Sequence, residues 1–340
     1  MGWGSRGCVQ DTGRARVCTQ GAGRIGFASR AGAASVGGMK RFHIGRGGPE
    51  VSGYACGMWR LADDSEGTDP ERILRKVEAC LELGVTTFDH ADIYGGYSCE
   101  GLFGRALALA PGLRERMEIV TKCGINVPCE NRPGVRVPHY DAGSAAIQRC
   151  VDRSLRELRT DWIDVLLIHR PDWLTSAEDT AEGLRKVLTS GKVRSVGVSN
   201  YSVHQWDLLQ RFLGKPLVTN QVEVSLLQMD AIWDGTLDRC QGEGAHPMAW
   251  SPLAKGLVMT GTDEGSVRLR GVLERIGGEY GCTAAQMALA WVGALPSRPQ
   301  VIFGTNRLER IRELAAAERV VMEREHWFEL WTAAKGCSIP

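Results

Sequence analysis

The sequence predicts an α/β fold: a single (β/α)8 barrel of parallel strands. Three observations predict it. Short apolar runs alternate with amphipathic stretches over nearly the whole chain after Met39. The runs are continuously apolar rather than alternating, as strands buried on both faces are. Each run also stops at a polar or aromatic group. In order these are Trp59, Asp89, Lys122, His169, Ser199 with Asn200, Gln221, Trp250 with Ser251, and Gly304 with Thr305. In parallel barrels the functional side chains gather at the C-terminal strand ends, whereas Val, Ile and Leu fill the interior. The competing architecture is a doubly wound open sheet. It lacks support, because no GxGxxG opens a helix after the first strand.

The elements follow in order. Residues 40–59 hold a small hairpin and then a first barrel strand ending near Trp59. A helix over 69–82 carries Ile73, Leu74, Val77 and Leu81 on one face, with Pro70 in its first turn and Gly84 ending it. VTTFD is a strand, 100–109 a helix and MEIVTK a strand. Residues 124–141 form a loop rich in Pro, Gly and charge. A helix over 145–158 presents Ile147, Val151, Leu155 and Leu158. IDVLLIH is a strand, 177–189 a helix, VRSVGVSN a strand and 204–213 a helix. LVTNQVE and HPMAWS are strands. Thr283 caps a helix running to Leu295. VIFGT is the eighth strand, followed by a helix over 307–318. The last 20 residues, with Trp327, Phe328 and Trp331, form a terminal helix over one end of the barrel.

A chain of 340 residues has room for one such domain, spanning 39–340. Its formal net charge is +1, with acids and bases interspersed, so no nucleic-acid face or membrane-binding patch is expected. No apolar run approaches the ~18 residues of a transmembrane helix. The 11 cysteines are scattered without CxxC or zinc spacing, and are expected to be reduced packing residues in the cytoplasm, with no metal. Residues 1–38 differ: rich in Gly, Ala, Ser and Arg, with Asp11 the one acid and no Leu. Disorder is expected there, because the stretch buries too little apolar surface to offset its ordering entropy. Two readings stay open for it, an organelle transit peptide or an upstream extension before a true start at Met39.

Chemistry concentrates in Asp89, Tyr94, Lys122 and His169. Singly, each has an ordinary reading: a helix cap, a loop aromatic, a solvated charge, a histidine satisfying backbone groups. Three of them end strands and Tyr94 follows Asp89 by five positions. One barrel face would therefore gather a carboxylate, a phenol, an ammonium and an imidazole, a set suited to proton delivery to a carbonyl oxygen.

At this point the motifs become a resemblance. DHADIYGGYSCEGLFGRAL, VTKCG, DVLLIHRPD, GKVRSVGVSNY, TNQVE, AWSPLAKG and a closing FGTNRLERI resemble the aldo-keto reductase family from Met39 to the C-terminus. The likeness is strongest toward bacterial oxidoreductases of the YdhF type. It implies NADPH-dependent reduction of an aldehyde or ketone by direct hydride transfer. Tyr94 would be the general acid, its pKa lowered by Lys122; Asp89 would pair with Lys122; His169 would donate to the substrate oxygen or help relay the proton. Ser199, Asn200 and Gln221 match the clamp on the nicotinamide carboxamide, and Trp250 the aromatic that stacks on that ring. Ser251, Leu253 and Gly256 match the pyrophosphate segment; Gly304, Thr305 and Arg310 match the adenosine phosphate motif. Many NADPH-specific members carry Lys-Ser where Gly304-Thr305 stands, and Arg307 and Arg310 would compensate. NADH is expected to be the poorer cofactor.

Substrate choice is expected in the loops 124–141 and 224–245 and in the C-terminal tail, with Trp59 as one pocket wall. Arg60 and Arg170 would either attract a carboxylate or be salt-bridged structure. The expected partner is a small carbonyl compound, with the chain a monomer or weak homo-oligomer. The competing functions are an NADPH-binding sensor with little turnover, and a Schiff-base aldolase or isomerase using Lys122.

Overall fold

Eight parallel strands close on themselves in the computed structural model, which describes residues 38–339. They are β1 (Tyr54–Gly57), β2 (Thr87–Asp89), β3 (Glu118–Cys123), β4 (Ile163–Ile168), β5 (Val193–Ser199), β6 (Asn220–Glu223), β7 (Met248–Trp250) and β8 (Gln300–Phe303). Each pairs with its sequence neighbour, and β8 returns to β1 in the register Val301↔Tyr54 and Phe303↔Cys56. The predicted barrel is therefore present. The expectation for residues 1–38 falls, apart from Gly38, outside the described residues.

Helices join the strands, and local chemistry sets their ends. Asp69 accepts from the Arg72 N–H at 2.9 Å and Pro70 opens the helix Pro70–Glu82. Ser202 and Thr283 make reciprocal capping boxes with Gln205 and Gln286. The helix Cys99–Leu107 lies so close to Ser144–Leu158 that a Cβ on Gly104 would fall 2.0 Å from the carbonyl of Glu157. Only glycine permits that approach.

The pleat explains the core. Side chains alternate across a strand, so every second residue points into the barrel. Ala55, Val120, Val165, Leu167, Met248 and Ile302 meet there in one cluster. The predicted hairpin, Arg41–His43 with Glu50–Ser52, adds Ile44 and Val51 to it and thereby plugs the end where the strands begin. The opposite end is left open.

Several elements differ from the sequence expectation. The loop 124–141 is not wholly irregular: Ile125–Asn126 pairs antiparallel with His139–Tyr140. Two-residue strands leave no periodicity to read. The helix expected over 307–318 is regular only over Leu308–Ala315 and tightens into a 3-10 turn over Ala316–Arg319. Trp59 lies two residues beyond β1. The loop 224–245 contains the helices Asp230–Trp233 and Thr236–Glu243, and a long helix, Glu264–Glu279, lay unread between β7 and Ala284–Gly293. The terminal helix Arg324–Lys335 packs on this helix layer. Trp327 stacks on Trp291 at 4.7 Å, and each indole N–H donates to the other residue's carbonyl at 3.0 Å. The described cysteines are free thiols. Among the described residues, no helix is long and apolar enough to cross a membrane.

Candidate active site

The inward alternation that fills the core also builds the open end. Two residues past Val120 comes Lys122; past Leu167, His169; past Met248, Trp250; past Thr87, Asp89. The barrel changes from apolar to polar in a single layer.

Lys122 is fully buried and its ammonium is saturated. It donates to Asp89 Oδ1 at 2.9 Å and Oδ2 at 2.8 Å, to the His90 carbonyl at 2.7 Å, and to the Tyr94 hydroxyl at 3.0 Å. An ammonium has no acceptor, so the Tyr94 oxygen must be the acceptor in this contact. The phenol's own proton is left free to point elsewhere. Tyr94 lines a cavity of about 610 Å³ at the barrel mouth, together with Asp89 and His169. A tight turn aims it there: Gly95, Gly96 and Tyr97 follow with φ of 56°, 60° and 68°. Two glycines in the left-handed region permit this turn without Cβ strain.

The electrostatics correct one expectation. The Tyr94 pKa is raised above the ordinary phenol value, not lowered. Burial is the largest cause and Asp89 adds to it; Lys122 opposes both but does not prevail. For Lys122, burial works against the charge, yet Asp89 and Tyr94 outweigh it and hold the proton above the usual lysine range. Burial pushes the His169 imidazole well below its ordinary value, helped by Lys122 and Arg170, so the ring is neutral. Its Nδ1 is buried without a partner and its ring meets that of Tyr94 edge-on at 6.1 Å.

The other predicted residues lie along the same cavity. Trp59, Ser199, Asn200, Gln221, Trp250, Ser251, Leu253, Gly256, Gly304, Thr305 and Arg310 all line it. Lys122 alone stands behind the wall. Some of these groups are already engaged. The Gln221 amide donates to Asp89 at 2.7 Å, tying β6 to the charge pair. Asn200, with φ of 59°, accepts from the Trp250 indole at 3.3 Å and donates to Ser199 at 2.8 Å. Arg310 pairs with Glu313 at 2.8 Å. Thr305 accepts from the Arg307 N–H at 3.2 Å.

This far end of the cavity suits a phosphorylated ligand. The helix Leu308–Ala315 has no side-chain cap on its first N–H groups. Gly256, with φ of 101°, lies beside Lys255, and Arg307 and Arg310 complete a cationic rim. Lys255 was missed by sequence reading, although it stands inside the quoted AWSPLAKG. A buried acid pair was missed too. Asp92 bonds Arg153 at 2.7 Å, and Glu100 accepts from Thr121 at 2.6 Å and Ser154 at 3.0 Å. Burial above all lifts both carboxyls to about 7. The motif containing them, DHADIYGGYSCE, gave no sign that these two acids face inward toward the helix layer.

A family model described as the aldo/keto reductase family matches residues 55–333. The chain belongs to that family. It is an NAD(P)H-dependent oxidoreductase. It is 47% identical over 287 residues to a 6-dehydroglucose reductase of Agrobacterium fabrum, covering 84% of this chain and 95% of that protein. It is 43% identical to the oxidoreductase YdhF of Escherichia coli over 89% of this chain and the whole of the other. Among solved structures it is similar to an aldo/keto reductase from Klebsiella pneumoniae in complex with NADP and acetate. That likeness has a TM-score of 0.70 and 28% identity, over 84% of this chain and 93% of that one.

Proposed function

We propose that this reductase converts an aldehyde or ketone to the alcohol using NADPH, with Tyr94 as the acid. The Klebsiella structure's NADP supports the cofactor, and so does the cationic rim of Lys255, Arg307 and Arg310. NADPH, when bound, supplies the hydride to the carbonyl carbon. Tyr94 gives its proton to the carbonyl oxygen, so carbon gains the electron pair and oxygen becomes a hydroxyl. Lys122 stabilises the phenolate left behind, and Asp89, itself held by the Gln221 amide, holds Lys122 in place. Neutral His169 donates a hydrogen bond to the same oxygen. Trp250, Ser199 and Asn200 form the wall for the nicotinamide.

One observation carries this reading: a buried, charge-paired ammonium donating to the Tyr94 oxygen at 3.0 Å. The contact stabilises the phenolate and leaves the phenol proton facing the cavity. The same burial counts against Schiff-base chemistry, because Lys122 has neither exposure nor a free lone pair.

The test is a panel of aldehydes and ketones, followed by NADPH absorbance. The C6 aldehyde of glucose belongs in it, since relatives from Agrobacterium and Novosphingobium are named for that substrate. Turnover of at least one compound is expected. Tight NADPH binding with no turnover of any of them would establish the sensor reading instead.

A further inference from the structure

Arg170 follows His169 directly and lines the cavity. Its guanidinium makes no hydrogen bond and no ion pair among the described residues. Three other arginines of limited exposure differ: Arg72 bonds Asp64, Arg114 bonds Asp164 and Arg153 bonds Asp92, each at 2.7 Å; Arg132, which also lacks a polar partner among the described residues, lies over the Tyr97 ring instead. The residue before it, His169, meets the Tyr94 ring at 6.1 Å, and all three line the same cavity, so Arg170 stands at its reacting end. Glu223 occupies the inward position above Gln221 on β6 and feels the charge of both Lys255 and Arg170. It forms an ion pair with neither. Five N–H donors therefore stand open beside the site of reduction.

We propose that Arg170 is a specificity-determining residue that hydrogen-bonds oxygen atoms on the substrate's tail. The preferred substrates are then short hydroxylated or carboxylated aldehydes rather than hydrocarbon ones. The physical reason is desolvation. A substrate entering the cavity strips water from Arg170, which is costly unless the substrate supplies acceptors in return. The planar fork suits two adjacent oxygens, as in a carboxylate or a pair of neighbouring hydroxyls. Trp59, half exposed on the same cavity, offers an apolar face for the C–H side of such a tail. Arg170 is thus open rather than salt-bridged structure. The inference rests on the reductase reading above and specifies the substrate class for it.

The test uses the NADPH-loaded enzyme with D-glyceraldehyde, succinic semialdehyde and butanal, in the wild type, Arg170→Gln and Arg170→Lys. The wild type is expected to favour at least one oxygenated aldehyde over butanal by about tenfold or more in kcat/KM, the scale of one charged hydrogen bond. Arg170→Gln is expected to erase most of that preference through KM. Retention by Arg170→Lys for succinic semialdehyde identifies an anionic tail; loss in Arg170→Lys for glyceraldehyde identifies hydroxyls gripped by the fork. A preference in Arg170→Gln within about twofold of wild type overturns the proposal. So does a rise in KM for NADPH in place of the aldehyde's. No turnover of any carbonyl compound by the wild type sinks the reductase reading itself, a separate failure.

Discussion

Replacing Tyr94 by Phe isolates the proton donor. The variant loses one oxygen, which accepts from Lys122 at 3.0 Å. Lys122 keeps both Asp89 oxygens at 2.9 and 2.8 Å and the His90 carbonyl at 2.7 Å. Its three protons remain satisfied, and no buried donor is orphaned. The phenyl ring fills the same space against His169. Stability should therefore change by about 1 kcal/mol or less. Turnover should not survive so well. General acid catalysis is worth ~10²–10⁴ in rate, or about 3–5 kcal/mol of barrier. The assay compares kcat under saturating NADPH, with cofactor affinity read separately by fluorescence titration and folding by thermal melting. A loss of two to four orders of magnitude at unchanged NADPH affinity is expected. A kcat within about tenfold of wild type would refute Tyr94 as the acid.

Three further outcomes follow from the same contacts. Lys122→Met strands the Asp89 carboxylate, whose side chain is only 4% exposed; a loss of about 3–5 kcal/mol in urea unfolding is expected, and a loss under ~1 kcal/mol would contradict the buried pair. Glu100 has its pKa raised by burial to about 7 from 4.5, so it favours the folded state when protonated. That contribution is fully present below its ordinary pKa and disappears as pH rises toward 7. Glu100→Gln is expected to be more stable than wild type at pH 8, by on the order of 2 kcal/mol, and to lose that advantage near pH 4; a variant less stable at pH 8 speaks against it. Arg310→Ala should raise KM for NADPH about tenfold and for NADH much less; equal rises would remove this side chain from the phosphate site.

Much of the site was legible because a barrel strand converts sequence parity into direction. Asp89, Lys122 and His169 follow apolar runs, and that parity places them inward at the open end. Tyr94 was legible through its place five residues after Asp89 and through the family resemblance; the two glycines after it, taken alone, suit an ordinary loop aromatic. The hairpin Ile125–Asn126 with His139–Tyr140 was not, since two-residue strands carry no period. The helix Glu264–Glu279 was missed because its face is diluted by glycine and charge; Gly265, Gly271, Gly277 and Gly278 lie within it. Asp92 and Glu100 carried no sign of burial in the sequence, because burial is decided by the helices packed over them.

The residue pattern by itself determined the number and order of the strands, the polar ring at their ends and the family. The strands and the ring depend on near-neighbour periodicity and the family on the wording of its motifs; a linear string contains both. Only the tertiary structure decided that Gln221 reaches Asp89 across 132 residues, that Arg170 has no partner among the described residues, and that Tyr94 holds its proton more tightly than a free phenol. Each of these is set by distance and by exclusion of water. Both quantities arise only when the barrel closes and brings its ends together.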